Sequence, residues 1–524
     1  MHPVLQIHEL VDLILANLGS QSLYRLALTC HSLEVSALDK LWYTQDSLAP
    51  LIHVMSSVAF EKTIGFRHGG LTKLVVEGIP TEIEKHRLKN ALRALLNTAV
   101  FEATDGHHVH FPALRVLEWP FTGIDGSFFH LVDHFLGPKM QEIVLRGFLQ
   151  RDINTDDTMA MLWSSIPTRC PELIEFKMTG FGPFVPPTHD MNAWKSLKTF
   201  DCRRSQGMPL EIYTALSKLP RLHCLYFYLI QRKDTPTQNR SSETLDLDIE
   251  PTFPSLRHLT LISEEIENCI EVLRNNSYPV LSTLSVGLDF RSGPNSIHSG
   301  SLGLDLLDII PRRVSSNLRQ LLIEGYRCDP PVPNPHYHNS SQMLHVIRSM
   351  LQAFPNMERF ELQDCQFTFD VDRTFLMEIG TAWPRLEALA LNPDFSTIWP
   401  STNLLSLPDV LDFSQQLPSL SCLWIRVDAN GCQLNIANTT YPGASSELQQ
   451  LHLGDSPINN PDDVVEFLLR SFPKLQYLEA WKYSTPSHDA EAADKSLVLI
   501  EVFGDHLRCH WKLKGYVLTY RWFS

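Results

Sequence analysis

One phrase recurs along the chain, and three of its clearest copies are FPSLRHLTL (253–261), FPNMERFEL (354–362) and WPRLEALAL (383–391). Each copy contains the hexad L-x-x-L-x-L, with other apolar residues at some leucine positions, and usually follows an apolar residue and a proline. The hexad occurs fourteen times between Leu71 and Leu475, at a mean spacing of about 31 residues. A motif repeated at such a period indicates a repeat array, in which each repeat is one structural unit.

Each unit is predicted to be a strand followed by a helix. In the hexad, alternate residues such as Leu259 and Leu261 point to one side of a strand. Between hexads, apolar residues at helical spacing predict helices over 210–219, 341–354 and 462–472. A proline then precedes the next hexad and stops the helix, because the residue before proline disfavours the helical conformation. The prolines at this position are Pro112, Pro171, Pro220, Pro254, Pro279, Pro355, Pro384, Pro418 and Pro473.

No unit of this kind can bury its own apolar side, so the units must stack side by side. This organisation resembles the leucine-rich-repeat family, in the longer, irregular form whose repeats carry a full helix. The resemblance covers residues 71–482 and implies an α/β solenoid, a horseshoe with strands on its concave face and helices outside. Residues 49–70 would be a linker or first-repeat helix, and residues 483–524 a C-terminal cap. An ordinary α/β domain is the alternative, but it would not explain fourteen copies of one hexad.

Some segments depart from the repeat pattern. Polar or Pro/Gly-rich inserts are predicted to form loops that leave the array, at 231–252, 291–302, 326–341 and 428–446. Some motif positions carry a residue other than leucine, and these residues are Met140, Phe176, Phe200, Cys202, Met357 and Ala480.

Residues 1–48 follow a different rule. Apolar residues at helical spacing predict one helix over 8–18 and a second over 22–30, with a break at Gly19, and a third helix follows around 35–42. Three short helices have too little core to be stable alone. They should therefore dock on a neighbour or complete their core with a partner.

This N-terminal segment resembles an F-box. The family's pattern is met by Glu9-Leu10, Ile14, Leu18, Leu23, Cys30 and Leu41-Trp42, whereas His8 replaces the usual proline and Leu33 the usual aromatic residue. The resemblance implies that the module binds the Skp adaptor of a Skp–cullin–F-box ubiquitin ligase and, through it, a cullin scaffold. A helical cap on the solenoid is the alternative, since terminal repeats need caps. The resemblance implies an adaptor-binding surface made of Leu10, Ile14, Leu18, Leu23, Leu26, Leu33, Leu41 and Trp42.

Composition limits the classes of function. The 524 residues carry a formal charge of −15, so no general positive field attracts phosphate backbones or anionic membranes. No apolar run approaches the roughly 18 residues that a membrane-spanning helix needs. The ten cysteines are sparse and form no C-x-x-C motif, which favours reduced intracellular thiols. We therefore expect a cytoplasmic or nuclear protein that binds neither nucleic acid nor membrane.

The sequence closest to a catalytic motif is HLVDH (130–134), in which two histidines one helical turn apart could share a zinc ion. The order resembles the inverted metalloprotease motif H-x-x-E-H, with aspartate in place of glutamate. No third ligand is assigned, although His107, His108 and His110 lie upstream. Solvated helix histidines are the simpler interpretation. We therefore predict no catalytic residue, metal or cofactor in this chain.

The concave face of the array is the predicted target-binding surface. In each hexad the third residue, the fifth residue and the residue after the last point to this face. Neighbouring units place Arg146, Lys177 and Arg203 there, a basic strip that would suit an acidic or phosphorylated segment. Aromatic residues and arginines are also the types that most often anchor protein partners. Further candidates on this face are Tyr226, Tyr228, Ile262, Trp424, Arg426, Tyr477 and Trp481.

These features predict the substrate-recognition subunit of a Skp–cullin–F-box ubiquitin ligase. Residues 1–48 would bind the adaptor, and the array would hold an unidentified protein target so that ubiquitin transfer becomes effectively intramolecular. A leucine-rich-repeat scaffold or sensor outside any ligase is the second hypothesis. A zinc hydrolase at His130 and His134 is the third.

Overall fold

The structure is a computed structural model that describes part of the chain. Within the described part of the chain, no helix combines the length and the hydropathy that a membrane span requires. The described residues are 8–29, 33, 36–37, 40–41, 44–45, 73–75, 113–120, 132–146, 155–179, 191–204, 210–229, 252–289, 299–326, 340–363, 371–391, 405–429, 447–454, 456, 461–480, 497–503, 506–513 and 516–523.

The chain forms two compact units, residues 1–228 and 229–524. In the first unit, each strand pairs in parallel with the strand that follows it in sequence. The helices whose bounds the structure describes there are α1 (His8–Ala16), α2 (Ser20–Thr29), α3 (Thr155–Arg169) and α4 (Leu210–Ser217). Its strands are β1 (Thr44–Gln45), β2 (Lys73–Val75), β3 (Val116–Pro120), β4 (Glu142–Arg146), β5 (Glu175–Thr179), β6 (Thr199–Arg204) and β7 (Cys224–Leu229).

The second unit continues the alternation of strand and helix. Its helices are α5 (Ile266–Arg274), α6 (Ser299–Arg313), α7 (Ser340–Ala353), α8 (Arg373–Ala382), α9 (Leu407–Gln416) and α10 (Pro461–Ser471). Its strands are β8 (His258–Ser263), β9 (Thr283–Asp289), β10 (Gln320–Tyr326), β11 (Arg359–Gln363), β12 (Ala388–Leu391), β13 (Leu405–Ser406), β14 (Cys422–Trp424), β15 (Val427–Asp428), β16 (Gln450–Gly454), β17 (Tyr477–Ala480), β18 (Leu497–Phe503), β19 (His506–Leu513) and β20 (Tyr516–Phe523).

Parallel pairing dominates the second unit. Strands β8 to β12, then β14, β16 and β17, pair successively in parallel, and β13 pairs in parallel with β15. The last three strands, β18 to β20, continue from β17 as antiparallel neighbours. A dozen or more residues separate most successive parallel strands, because a parallel pair needs a crossover connection. The result is an α/β fold with extended parallel sheet, consistent with a repeat solenoid.

The strand register of the second unit aligns one leucine position of every hexad. Neighbouring copies of this position lie directly opposite each other in the paired strands, and every copy is at most 5% exposed. The hexad therefore predicts both the strands and their buried face. The aligned residues are Leu259, Leu284, Leu321, Phe360, Leu389, Leu423, Leu451 and Leu478.

Aromatic residues occupy the same position in part of the first unit. Phe176 of β5 lies opposite Phe200 of β6, and their rings stack with centroids 5.6 Å apart. Trp163 of α3 lies 4.9 Å from the Phe176 ring, and Trp194 lies 5.6 Å from it. All four residues are buried. The departures from leucine at these positions are thus explained by one aromatic cluster that joins strands to a helix.

The predicted helix stops are confirmed at five prolines, whereas α4 ends three residues before Pro220 and α5 five residues before Pro279. Five helices end two residues before a proline of the repeat pattern, and the predicted helix ends differ from the observed ones by one or two residues. At the other end of α9, Ser406 accepts a hydrogen bond from the Asp409 amide, and Asp409 accepts one from the Ser406 amide, a capping box. The five pairs are Arg169 and Pro171, Ala353 and Pro355, Ala382 and Pro384, Gln416 and Pro418, and Ser471 and Pro473.

Three predicted loops are partly wrong. The insert at 326–341 overlaps the last residue of β10 and the first two residues of α7, and the insert at 428–446 overlaps the last residue of β15. The largest overlap is in the insert at 291–302, because residues 299–302 form the first turn of α6. The helix extends this far because the apolar side chains that follow, such as Leu306, Leu307 and Ile310, are buried on one helical face. Most of the remaining insert residues lie outside the described part of the chain, as do all of residues 49–70.

Candidate functional site

The N-terminal helices have a small core of their own. Two residues predicted to contact an adaptor, Leu23 and Leu33, belong to this core and are 5% and 7% exposed. Three others, Leu18, Leu26 and Leu41, pack against it and are half-buried. These five side chains support the module more than they extend its surface. Among the described residues, this core consists of Val11, Leu15, Leu23, Leu33, Ala27 and Ala37.

Helix α1 carries a second apolar stripe that this core does not use. Leu10, Leu13 and Ile14 are 38%, 62% and 45% exposed, and their spacing places them on one face of the helix. Tyr24 of α2 is also 54% exposed. A short helix that is apolar on two faces needs cover for both of them. The prediction named Leu10 and Ile14 but missed Leu13 and Tyr24; the three-residue step from Leu10 to Leu13 was the available signal. Trp42 lies outside the described residues.

The predicted basic strip lies on one face of the sheet in the first unit. The buried motif residues Ile143, Phe176 and Phe200 point to the other face. Each of its cations has a carboxylate partner. Arg146 Nη2 is 2.6 Å from Glu118 Oε1, and Lys177 Nζ is 2.9 Å from Glu175 and 3.6 Å from Glu142. The cations therefore do not form a bare positive surface. We call this set of seven side chains the charged face: Glu118, Glu142, Arg146, Glu175, Lys177, Asp201 and Arg203.

Arg203 is the most firmly held cation of the charged face. Its Nε and Nη2 donate to both oxygens of Asp201, at 3.2 and 2.9 Å for the shorter contacts. Its guanidinium also lies 4.3 Å from the centroid of the Tyr226 ring, in the geometry of a cation–π contact. The carboxylate and the ring together fix the direction in which the remaining N–H groups point. Tyr228, on the same strand as Tyr226, is half-buried.

Local environments shift two pKa values on this face. Partial burial lowers the pKa of Lys177, but the hydrogen bonds and charges of Glu175 and Glu142 outweigh it and raise the pKa above its ordinary value. Burial is the main cause that raises the pKa of Tyr226, and nearby Arg203 opposes it. Both groups therefore keep their neutral-pH forms, Lys177 charged and Tyr226 protonated.

A second cluster lies in the later strands of the second unit. Trp424 of β14 is opposite His452 of β16, with ring centroids 4.0 Å apart, and Tyr477 lies 5.1 Å beyond His452. Trp424, Tyr477 and the predicted Arg426 are half-buried, and His452 is buried. The structure therefore brings Trp424 and Tyr477 together through a histidine that the prediction missed. The alternation of strand residues was the signal, since Trp424 and His452 occupy the same hexad position. Ile262 is half-buried on β8, and Trp481 lies outside the described residues.

The metal hypothesis receives no support from the described residues. Asp133 of HLVDH pairs with Arg169, whose Nη2 lies 3.1 Å from its carboxylate. No group of three histidine, cysteine, aspartate or glutamate residues in the described ranges could hold a metal ion. His130, His107, His108 and His110 are outside those ranges.

The described cysteines are not activated nucleophiles. Burial raises the pKa of Cys170 and Cys269 to about 12, and it also raises the pKa of Cys202, Cys224 and Cys422. A nucleophilic cysteine needs a lowered pKa, because the thiolate is the reactive form. These thiols therefore stay protonated at neutral pH.

Comparisons with known proteins add little to this geometry. No protein-family model matches the chain, and no curated protein matches it. Among solved structures, the complex of Rad7 and Elc1 from yeast is similar at 11% identity, with 92% of this chain and 90% of that chain covered. The TM-score is 0.33, which does not establish a shared fold.

Proposed function

We propose that this protein is the substrate-recognition subunit of a Skp–cullin–F-box ubiquitin ligase. In this proposal, the N-terminal helices are an F-box that binds the Skp adaptor, and the adaptor links the chain to a cullin. The repeat units are leucine-rich repeats that hold a protein target. The chain supplies binding and no covalent chemistry, and the transfer step belongs to other subunits.

The second apolar stripe of α1 carries this proposal. The module fills its own core with Val11 and Leu15, yet the same helix exposes Leu10, Leu13 and Ile14. Burying one such side chain contributes roughly 1.5–3 kcal/mol relative to leaving it in water. Three of them on one face supply the apolar centre of an interface, which is what docking against an adaptor requires.

The target would bind on the strand face of the repeats. The charged face of the first unit and the Trp424–His452–Tyr477 cluster of the second offer arginine and aromatic side chains, the types that dominate protein interfaces. Holding the target next to the conjugating subunits raises its effective concentration for transfer.

Co-expression of the full chain with a recombinant Skp adaptor tests the proposal. The complex should co-elute in size-exclusion chromatography, and the double variant Leu10→Asp/Ile14→Asp should lose it while keeping the wild-type circular dichroism spectrum. The matched control is Val280→Asp/Leu469→Asp, because Val280 and Leu469 are 38% and 42% exposed, close to Leu10 and Ile14. An adaptor that binds neither wild type nor control would refute the ligase assignment.

The same variants separate the alternative, a leucine-rich-repeat scaffold or sensor outside any ligase. If the helices only cap the array, the second stripe of α1 packs on the chain itself. Leu10→Asp/Ile14→Asp would then unfold the protein instead of leaving it folded and unable to bind. The control variant would remain folded in either case.

A further inference from the structure

The charged face of the first unit differs from the equivalent positions of three strands of the second unit, β8 to β10. Three positions of each repeat point to this face: the third and fifth residues of the hexad and the residue after it, here called the seventh position. In β4 to β6, six of the nine residues at these positions are charged. At the same positions of β8 to β10, Glu324 is the single Asp, Glu, Lys or Arg. The two sets are Glu142, Val144, Arg146, Glu175, Lys177, Thr179, Thr199, Asp201 and Arg203, and His258, Thr260, Ile262, Thr283, Ser285, Gly287, Gln320, Leu322 and Glu324.

The fold does not need these charges. The strands β8 to β10 form the same parallel ladder with the same buried leucine positions and carry mostly neutral residues on the opposite face. Apart from Asp201, which is buried, these charged side chains are at least partly exposed, and exposed ion pairs contribute little to stability. The density of charge on β4 to β6 therefore calls for an explanation outside folding.

The charges are sorted along the strands. Glu142 and Glu175 occupy the third hexad position, and Arg146 and Arg203 occupy the seventh. Four residues of extended chain separate these positions, about 13 Å. One edge of the charged face is therefore acidic and the opposite edge is basic, and between them lie Lys177 and the two carboxylates that pair with the arginines, Glu118 and Asp201. Side chains at both edges are accessible: 32% and 29% exposed for the two glutamates, 61% and 45% for the two arginines.

This separation of acidic and basic edges favours a partner that carries both kinds of charge. The paired charges nearly cancel, so a purely acidic or purely basic segment meets an attractive edge and a repulsive edge. In an extended segment, successive side chains point to opposite sides. A segment with alternating acidic and basic residues that runs across β4, β5 and β6 would place all its acids on one side and all its bases on the other. Three strands span about 10 Å, which three or four extended residues cover.

We propose that the charged face binds an extended segment of the protein target in which acidic and basic residues alternate. Its acidic side chains face Arg146 and Arg203, and its basic side chains face Glu142 and Glu175. This inference rests on the proposed function, because it takes the strand face as the target-binding surface. It names the chemistry of the target, which the adaptor interface does not determine.

Fluorescence anisotropy with four labelled twelve-residue peptides tests the proposal on the full chain without adaptor. The probes are alternating Glu-Lys, a block of six Glu followed by six Lys, all-Glu and all-Lys. The alternating peptide should bind at least about fivefold more tightly than the block peptide of identical composition, since several exposed charge pairs act together. Equal binding of these two peptides, tighter binding of all-Glu, or no binding of any peptide would overturn the proposal.

Variants that replace charged side chains with glutamine locate the peptide-binding site. Arg146→Gln/Arg203→Gln should weaken the alternating peptide about fivefold and shift preference toward all-Lys. Glu142→Gln/Glu175→Gln should weaken it similarly and shift preference toward all-Glu. The matched control is Arg312→Gln/Arg319→Gln in the second unit, whose arginines are 68% and 55% exposed and also ion-paired; it should leave binding unchanged. An equal loss in the control would refute the site.

The experiments distinguish a failure of the mixed-charge target proposal from a failure of the ligase assignment. Adaptor binding depends on α1, and both edge variants should keep it in the co-elution experiment. A chain that binds the adaptor but discriminates no peptide pattern refutes only the mixed-charge target. A chain that discriminates the peptides but binds no adaptor refutes only the ligase assignment.

Discussion

Replacing Phe176 with leucine restores the repeat consensus, and the structure predicts that this change destabilises the protein. Phe176 is fully buried, and its ring contacts the rings of Trp163, Trp194 and Phe200 with centroids 4.9, 5.6 and 5.6 Å apart. A leucine side chain keeps apolar volume at this position but removes all three ring contacts.

The magnitude follows from those contacts. An aromatic pair is worth about 0.5–1.5 kcal/mol beyond the area it buries, so losing three pairs would cost about 1.5–4.5 kcal/mol. Leucine recovers part of this loss through its own packing. We expect a decrease of about 2 kcal/mol in the local unfolding free energy. Where reclosing is faster than exchange, this corresponds to roughly 30-fold faster exchange of the amides in β5 and β6.

Native-state hydrogen exchange is the appropriate assay, because a repeat chain with two compact units need not unfold in one transition. The matched control is Met357→Leu, which restores the consensus at another fully buried motif position. Methionine and leucine differ little in volume, so this change should cost less than about 1.5 kcal/mol. A Phe176→Leu variant as stable as wild type, or more stable, would show that the aromatic cluster does not stabilise these repeats.

Three further predictions concern the second unit and the buried thiols. Ser406→Ala removes the capping box of α9 and should cost about 1 kcal/mol, measured as faster hydrogen exchange in the first turn of that helix. Gly380→Val should lower the free energy of unfolding in urea by about 2 kcal/mol, because a Cβ at Gly380 already lies 3.4 Å from the Phe413 ring. Gly380→Ala needs only a shift of the exposed Gln416 side chain and should be nearly neutral. Burial raises the pKa of Cys170 and Cys269 to about 12 from an ordinary value of 9.0. Above pH 9 the unfolded chain therefore binds fewer protons than the folded chain, and the free energy of unfolding falls as pH rises toward 12. The urea midpoint should therefore fall more steeply between pH 9 and 10.5 in wild type than in Cys170→Ala/Cys269→Ala, relative to each protein's value at pH 8.

Much of the repeat architecture follows from the sequence because the hexad determines local structure and burial together. Leu284 and Leu321 lie in the predicted strands and face the predicted core, and Pro355 and Pro384 follow the helix ends they were expected to cause. The replacement of leucine by Phe176 could be noticed in the sequence but not explained, because its ring partners come from a helix, a turn and the next strand, all more than ten residues away.

The candidate sites were harder to predict, because their properties depend on side chains from different strands. The sequence indicates that Arg146 and Arg203 share a sheet face, but the partner of Arg146 is Glu118, on the preceding strand and 28 positions earlier. Reading the cations alone therefore predicted a basic strip, whereas the structure contains a sorted set of paired charges. In the same way, helical spacing identifies apolar residues of α1 but not which stripe the module core covers; burial separates Val11 from Leu13.

Hydrogen exchange of the full chain, with and without a purified Skp adaptor, tests the central claim most directly. The proposal predicts slower exchange in α1 and α2 on adding the adaptor, a protection that Leu10→Asp/Ile14→Asp abolishes and Val280→Asp/Leu469→Asp retains. Unchanged exchange over residues 8–29 at saturating adaptor, or protection that survives Leu10→Asp/Ile14→Asp, would contradict it.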